Sequence, residues 1–199
     1  MKKITFMLIG AVLGVVSAAA QDCEVQPIEG GFYAGPTFSV GGYHGGKSKC
    51  CASLGLNLNY NIPHTPIDCG VFFQMDFPRR DIMQWTPIHD DEGQEIGQWG
   101  SSWSQINRTV SFGVIGHYNF RQCSAINPFA GLGIGVGFNE SVADVIYYTK
   151  GTSAVVMPQI GVEFWHLFRL TGYAMVCRKG YNCAGITLGF SFGGRPRRQ

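Results

Sequence analysis

Residues 53–62 read Ser-Leu-Gly-Leu-Asn-Leu-Asn-Tyr-Asn-Ile, an unbroken alternation of apolar and small polar side chains, and similar alternation recurs about eight times along the chain. A period of two is the signature of a β-strand, because successive side chains point to opposite faces of the pleat. The chemistry of the two faces narrows the reading further. One carries Leu, Ile, Val and Phe; the other carries Gly, Asn, Ser and Thr, with few of the Lys and Glu residues of a water-washed sheet. The apolar face is therefore expected to meet lipid and the polar face to line an interior.

No segment after residue 20 is long and apolar enough to be a spanning helix, so any membrane passage falls to strands. Strands cross hydrocarbon only as a closed barrel, since an open edge leaves backbone groups unpaired. Strands are expected over 32–42, 53–62, 69–77, 106–120, 129–138, 154–164, 168–176 and 185–192. Most approach the 9 to 11 residues of a tilted spanning strand. Partners on one face keep a constant sum of residue numbers across a hairpin. On that basis Phe32, Phe38 and Val40 are set against Ile62, Leu56 and Leu54, Leu132 and Ile134 against Ile160 and Pro158, and Leu170 and Ala174 against Phe190 and Ile186. Pro36 and Pro158 are departures, tolerable at bulges or distorted pairings.

The expected connections alternate short and long: 63–68, 121–128 and 165–167 against 44–50, 78–105, 139–153 and 177–183. The longest carries Asp90-Asp91-Glu92-Gly93 at its middle, a turn signal for a projecting hairpin. Aromatic residues band into two girdles, with Phe120, Phe129, Phe164, Trp165, Phe168 and Phe192 on one side and Tyr43, Phe77, Trp103, Phe138, Tyr147 and Tyr148 on the other.

The organisation expected is a signal peptide over 1–20, an N-terminal periplasmic segment over 21–29, a barrel over 30–193 and a basic tail over 194–199. Lys2 and Lys3 precede an apolar stretch that ends at Ala18-Ala19-Ala20, the pattern of an export signal. Asp22 before Cys23 argues against a lipidated N-terminus. The first twenty residues carry two lysines and no acid, so their removal leaves a formal net charge of zero and no nucleic-acid footprint.

In these features the chain resembles the small eight-stranded outer-membrane barrels of the OmpA and OmpX type. The final strand, Gly185-Ile-Thr-Leu-Gly-Phe-Ser-Phe192, is similar to their C-terminal insertion signal, although the chain continues past Phe192 where an aromatic end is usual. The resemblance implies an all-β, antiparallel up-and-down transmembrane barrel, integral to the outer membrane of a Gram-negative bacterium, with lipid including lipopolysaccharide around it.

An eight-stranded barrel is just wide enough for its own side chains. Gly131, Gly133, Gly135 and Gly137 face inward and leave space that Tyr33, Met157 or Tyr173 can fill. Glu163 and Arg169 fall opposite each other across the 165–167 turn and are expected to form a buried lumen pair. His117, Ser111 and Glu163 supply hydrolase side-chain types, but no motif groups them, and the expectation is a protein that is not an enzyme and uses no cofactor. His89 to Glu92 form an acidic turn, more often solvated than a cation site. Neither a Cys-x-x-Cys spacing nor a Cys/His quartet occurs among the seven cysteines, so no metal is expected. Export permits disulfides; the pairing of 170 with 190 sets Cys177 opposite Cys183, with Cys50 and Cys51 as competing partners.

Two surface sites are expected. Arg108, facing outward above Val110, joins Arg79 and Arg80 within reach of lipid A phosphates. The long loop gathers Trp85, Trp99 and Trp103, residues suited to contacting an extracellular protein or glycan. The expected role is a scaffold presenting surface loops for binding or adhesion, set against a narrow channel or small-solute transporter. A soluble lipocalin-like barrel is disfavoured by the uncharged polar face.

Overall fold

The computed structural model describes residues 25–40, 47–143, 147–178 and 181–194, with backbone alone at 47–48, 80–85, 102–105, 142–143 and 147–149. The expected signal segment, Cys23, Tyr43 and the basic residues of the C-terminal tail lie outside the described residues.

The chain folds into one antiparallel sheet: β1 (Ile28–Ser39), β2 (Lys47–Asn61), β3 (Ile67–Asp76), β4 (Arg79–His89), β5 (Glu95–Asn119), β6 (Ile126–Ala143), β7 (Tyr147–Phe164), β8 (Phe168–Met175) and β9 (Cys183–Gly193). β3 and β4 are two halves of a single stave interrupted at Phe77 and Pro78, and β5 pairs with both. The pairing of β1 with β2 on one side and with β9 on the other closes eight staves into a barrel with no open edge through its wall. β1 begins at Ile28, two residues earlier than the sequence boundary at 30.

Which side chains face out follows the sequence parity. Leu54, Leu56 and Leu58, Val114, Ile134 and Ile160 are exposed, while Asn59, Gln74, Thr109, Asn127 and Thr187 are buried. That is the inverse of a water-soluble core, in which apolar atoms leave the solvent. Phe129 is a correction: it is buried in the lumen, not part of a girdle. It has odd number on β6, whose Leu132 and Ile134 face outward.

Facing is as expected, but three registers are corrected. Phe32 meets Leu56 rather than Ile62, Leu132 meets Pro158 rather than Ile160, and Leu170 meets Leu188 rather than Phe190. Each slip is an even number of residues, which leaves every side chain on its own face.

The two strand prolines sit where the ladder is interrupted. The β1–β9 pairing passes from Ala34↔Leu188 to Thr37↔Gly185, and the β7–β8 pairing runs from Gln159↔Tyr173 to the isolated bridge Val156↔Val176. Pro36 and Pro158 thus lack an N–H on the side where no bond is asked of it. The turn after β7 places Trp165 and His166 at φ 52° and 53°, a left-handed pair that closes the hairpin tightly at a cost in strain.

Candidate functional site: the lumen and the outer rim

The lumen is filled in layers. Toward the end bearing the short turns, the Asp68 carboxylate accepts from His117 Nδ1 at 2.7 Å and from Asn119 Nδ2 at 2.8 Å. Asn127 then bridges Asn119 Oδ1 at 3.1 Å and Glu163 Oε2 at 3.5 Å. Arg169 lies directly across from Glu163 in the register, yet its guanidinium donates to Glu29 Oε1 at 3.4 Å and lies over the Phe129 ring, 3.8 Å from the centroid. The expected lumen pair is therefore corrected: Glu29, on the first strand, takes the guanidinium, and Glu163 Oε1 instead stands 3.6 Å from His166 Nδ1.

The next layer is apolar. Phe72, Ile115, Val155, Met157 and Met175 form a cluster inside an otherwise polar lumen. Inward glycines seat its members and their neighbours: a Cβ on Gly133 would lie 3.3 Å from Met157, and one on Gly131 only 2.2 Å from the His117 ring. Gly55 accommodates Tyr33 in the same way.

Above it Gln74 donates to Asp76 Oδ2 at 2.8 Å and accepts from the Tyr33 hydroxyl at 3.2 Å. Tyr173 donates its hydroxyl proton to Asp76 Oδ1. Thr109 and Asn139 continue the network, with Asn139 Nδ2 donating to Ser153 Oγ at 2.7 Å. Most of these buried polar groups are tolerated because they satisfy one another, while the Asn59 side-chain amide, Glu163 Oε1 and Arg169 Nη2 make no hydrogen bond among the described residues.

This arrangement does not assemble a hydrolytic triad. His117 has Asp68 on Nδ1 and Gln159 Oε1 at 3.4 Å from Nε2, while Ser111 Oγ donates to the Gln74 carbonyl. Among the described residues no cluster of His, Cys, Asp or Glu is arranged to hold a metal ion.

At the opposite end, Arg108, Glu140 and Lys150 are register partners across β5, β6 and β7. Arg108 bonds to Glu140 Oε2, and Lys150 Nζ stands 3.4 Å from Oε1. Arg108 does face outward as its parity requires, but its charge is shared with Glu140. Arg79 is exposed one step along; the Arg80 side chain lies outside the described residues.

β4 and the first part of β5 form the projecting hairpin. Its turn is closed by Gly93 N–H to the Asp90 carbonyl at 3.0 Å, with Gly93 at φ 80°, and Asp90 Oδ1 accepts from the N–H groups of Glu92 and Gln94. Trp99 is 72 % exposed and Ile96 65 %. The side chains of Trp85 and Trp103 lie outside the described residues.

The expected Cys177–Cys183 bond is also corrected. Cys183 faces Met175, and Cys50, Cys51, Cys177 and Cys183 are all free thiols. Burial pushes the Cys177 thiol up to about 11. Cys123, in the turn between β5 and β6, is disulfide-bonded.

A closed eight-stave barrel, apolar outside and polar within, has the fold of the small outer-membrane β-barrels. The solved structures it matches are of that kind: Neisserial surface protein A (TM-score 0.51, 13 % identity, 83 % of this chain and 96 % of that one). The N-terminal barrel domain of Pseudomonas aeruginosa OprF (0.46, 11 %, 85 % and 100 %) and the Yersinia pestis attachment invasion locus protein Ail (0.43, 12 %, 84 % and 97 %) superimpose less well. No protein-family model matches the sequence, and no curated protein does.

Proposed function

We propose that the chain is an integral protein of a Gram-negative outer membrane whose side-chain-filled barrel is a rigid support for surface recognition, without enzymatic activity. The inverted burial carries this reading. A belt of exposed Leu, Ile, Val and Phe around a hydrogen-bonded polar interior is stable only with hydrocarbon outside. The apolar cluster across the lumen, with Val155 and Met157 wholly buried, speaks against a conducting path. Recognition then falls to what projects from the rigid wall, and the β4–β5 hairpin projects furthest. Its partner is an extracellular protein or glycan met through Trp99 and its neighbours.

Arg108 and Arg79, both exposed, are proposed with the adjacent Arg80 to contact lipopolysaccharide phosphates, with Glu140 fixing the direction of the Arg108 fork. Replacing the three with Gln is expected to weaken lipopolysaccharide binding by the detergent-solubilised protein, and unchanged binding refutes the contact. For the main reading, residues 80–102 are replaced by an Asn-Gly turn. The shortened protein should fractionate with the outer membrane and remain heat-modifiable on gels, yet lose partner binding on whole cells. Recovery of the parent as a detergent-free soluble monomer, or failure of the shortened barrel to assemble while point changes at Trp85 and Trp99 leave binding intact, overturns it.

A further inference from the structure

Beyond Asp81, β4 has among the described residues no neighbour except β5, and before Gln105 β5 has none except β4. Among the described residues the hairpin is thus a two-stranded ribbon with two open edges, and residues 86–101 are exposed or half-exposed on both faces. Such a ribbon is marginal in water when no third element covers it, and open edge N–H and C=O groups template another strand. The two edges are not equivalent. β4 carries Pro87, which lacks the N–H a new neighbour needs, whereas β5 has no proline between Glu95 and Gln105.

Charge selects the partner. Asp81, Asp90, Asp91, Glu92 and Glu95 lie between Arg80 and Arg108 with no lysine or arginine among them. A sulfated or phosphorylated glycan is repelled by such a tip, and a basic segment is drawn to it. We infer that the free edge of β5 over 95–104 accepts an extended, lysine- or arginine-rich segment of an extracellular protein by strand addition, with Trp99 packing on it and the acidic tip holding its charges. The inference rests on the surface-recognition reading and specifies its partner: main-chain bonds give affinity, and alternate side chains give specificity.

The test uses the full-length protein in detergent micelles and a dye-labelled ten-residue peptide alternating Lys and Val, followed by fluorescence anisotropy. Controls are a Glu-for-Lys counterpart and a Lys-Val peptide N-methylated at alternate residues. Saturable binding of the cationic peptide is expected. It should weaken about tenfold in D91N/E92Q/E95Q, where three exposed charge contacts are removed, and weaken again in W99A, each variant first shown to be heat-modifiable. Asp90 is left in place because it builds the turn. N-methylation should abolish binding. Equal binding of the methylated peptide shows charge without strand addition and overturns the inference; so do equal binding of the anionic peptide and absence of binding by the cationic one. If whole-cell partner binding still requires the hairpin in any of those cases, this inference alone fails. If a sulfated oligosaccharide binds through the hairpin instead, the partner is a glycan and surface recognition stands.

Discussion

Arg169→Met tests whether the buried charge network at the short-turn end holds the barrel together. The Arg169 and Glu29 side chains are only 10 % and 7 % exposed and stand 3.4 Å apart, with Glu163 directly across from the guanidinium. Removing Arg169 leaves the buried carboxyls of Glu29, Asp68 and Glu163 without its countercharge. Breaking a buried pair by deleting one partner costs about 3 to 5 kcal/mol. Loss of the guanidinium over Phe129 adds about 0.5 to 2 kcal/mol, while methionine retains part of the lost packing. The expected destabilisation is about 4 kcal/mol, a shift of roughly 1 to 4 M in the urea midpoint for a slope of about 1 to 3 kcal/mol per molar. Equilibrium unfolding in detergent micelles, read by the heat-modifiable gel shift and by circular dichroism, measures it. Glu29→Gln added to Arg169→Met removes the orphaned charge and should recover at least half the loss. An Arg169→Met protein within about 1 kcal/mol of the parent, or a double variant no more stable than the single one, refutes the reasoning.

Other expectations follow from the packing. Gly131→Val places new atoms against the His117 ring, which lies 2.2 Å from an added Cβ, and should cost about 1 to 3 kcal/mol by overpacking in the same unfolding assay. Planar-bilayer recording should find no steady conductance for the parent, and Met157→Gly with Val155→Gly should introduce one by opening the apolar layer; conductance in the parent sinks the filled-lumen reading. A membrane-impermeant maleimide on intact cells should label exposed Cys50 and leave buried Cys183 unmodified until unfolding. Cys177 should react slowly at pH 7 and faster as pH rises toward about 11, because only the thiolate attacks; pH-independent alkylation refutes that.

Strand facing was legible because the lipid enforces it residue by residue: an inward Leu56 or an outward Asn57 is penalised wherever the neighbouring strand happens to sit. Register was not, because the outer belt is made of interchangeable Leu, Ile, Val and Phe, and hydrocarbon does not distinguish Phe32 beside Leu56 from Phe32 beside Ile62. The exception is instructive. Glu163 opposite Arg169 was placed correctly, since a three-residue turn with Trp165 and His166 both left-handed leaves no freedom to slide. The hairpin at 90–93 was readable for the same reason: Asp90 and Gly93 carry its chemistry locally.

What sets register elsewhere is the lumen, and there the sequence held a signal that alternation by itself does not use. Asp68 and Asp76 occupy inward positions on one spanning strand, where an unpartnered carboxylate is costly. Each therefore demands a donor at a definite height on another strand. His117 lies directly across from Asp68 on β5, and Tyr173 reaches Asp76 from the far wall. Arg169 bonds to Glu29 rather than to its register partner Glu163, and only closure of β1 onto β9 brings residues 29 and 169 together, on the two strands that flank β9. The polar contacts that pin the strands are thus products of the closed barrel, whereas the alternation that permits the barrel is a property of each strand alone.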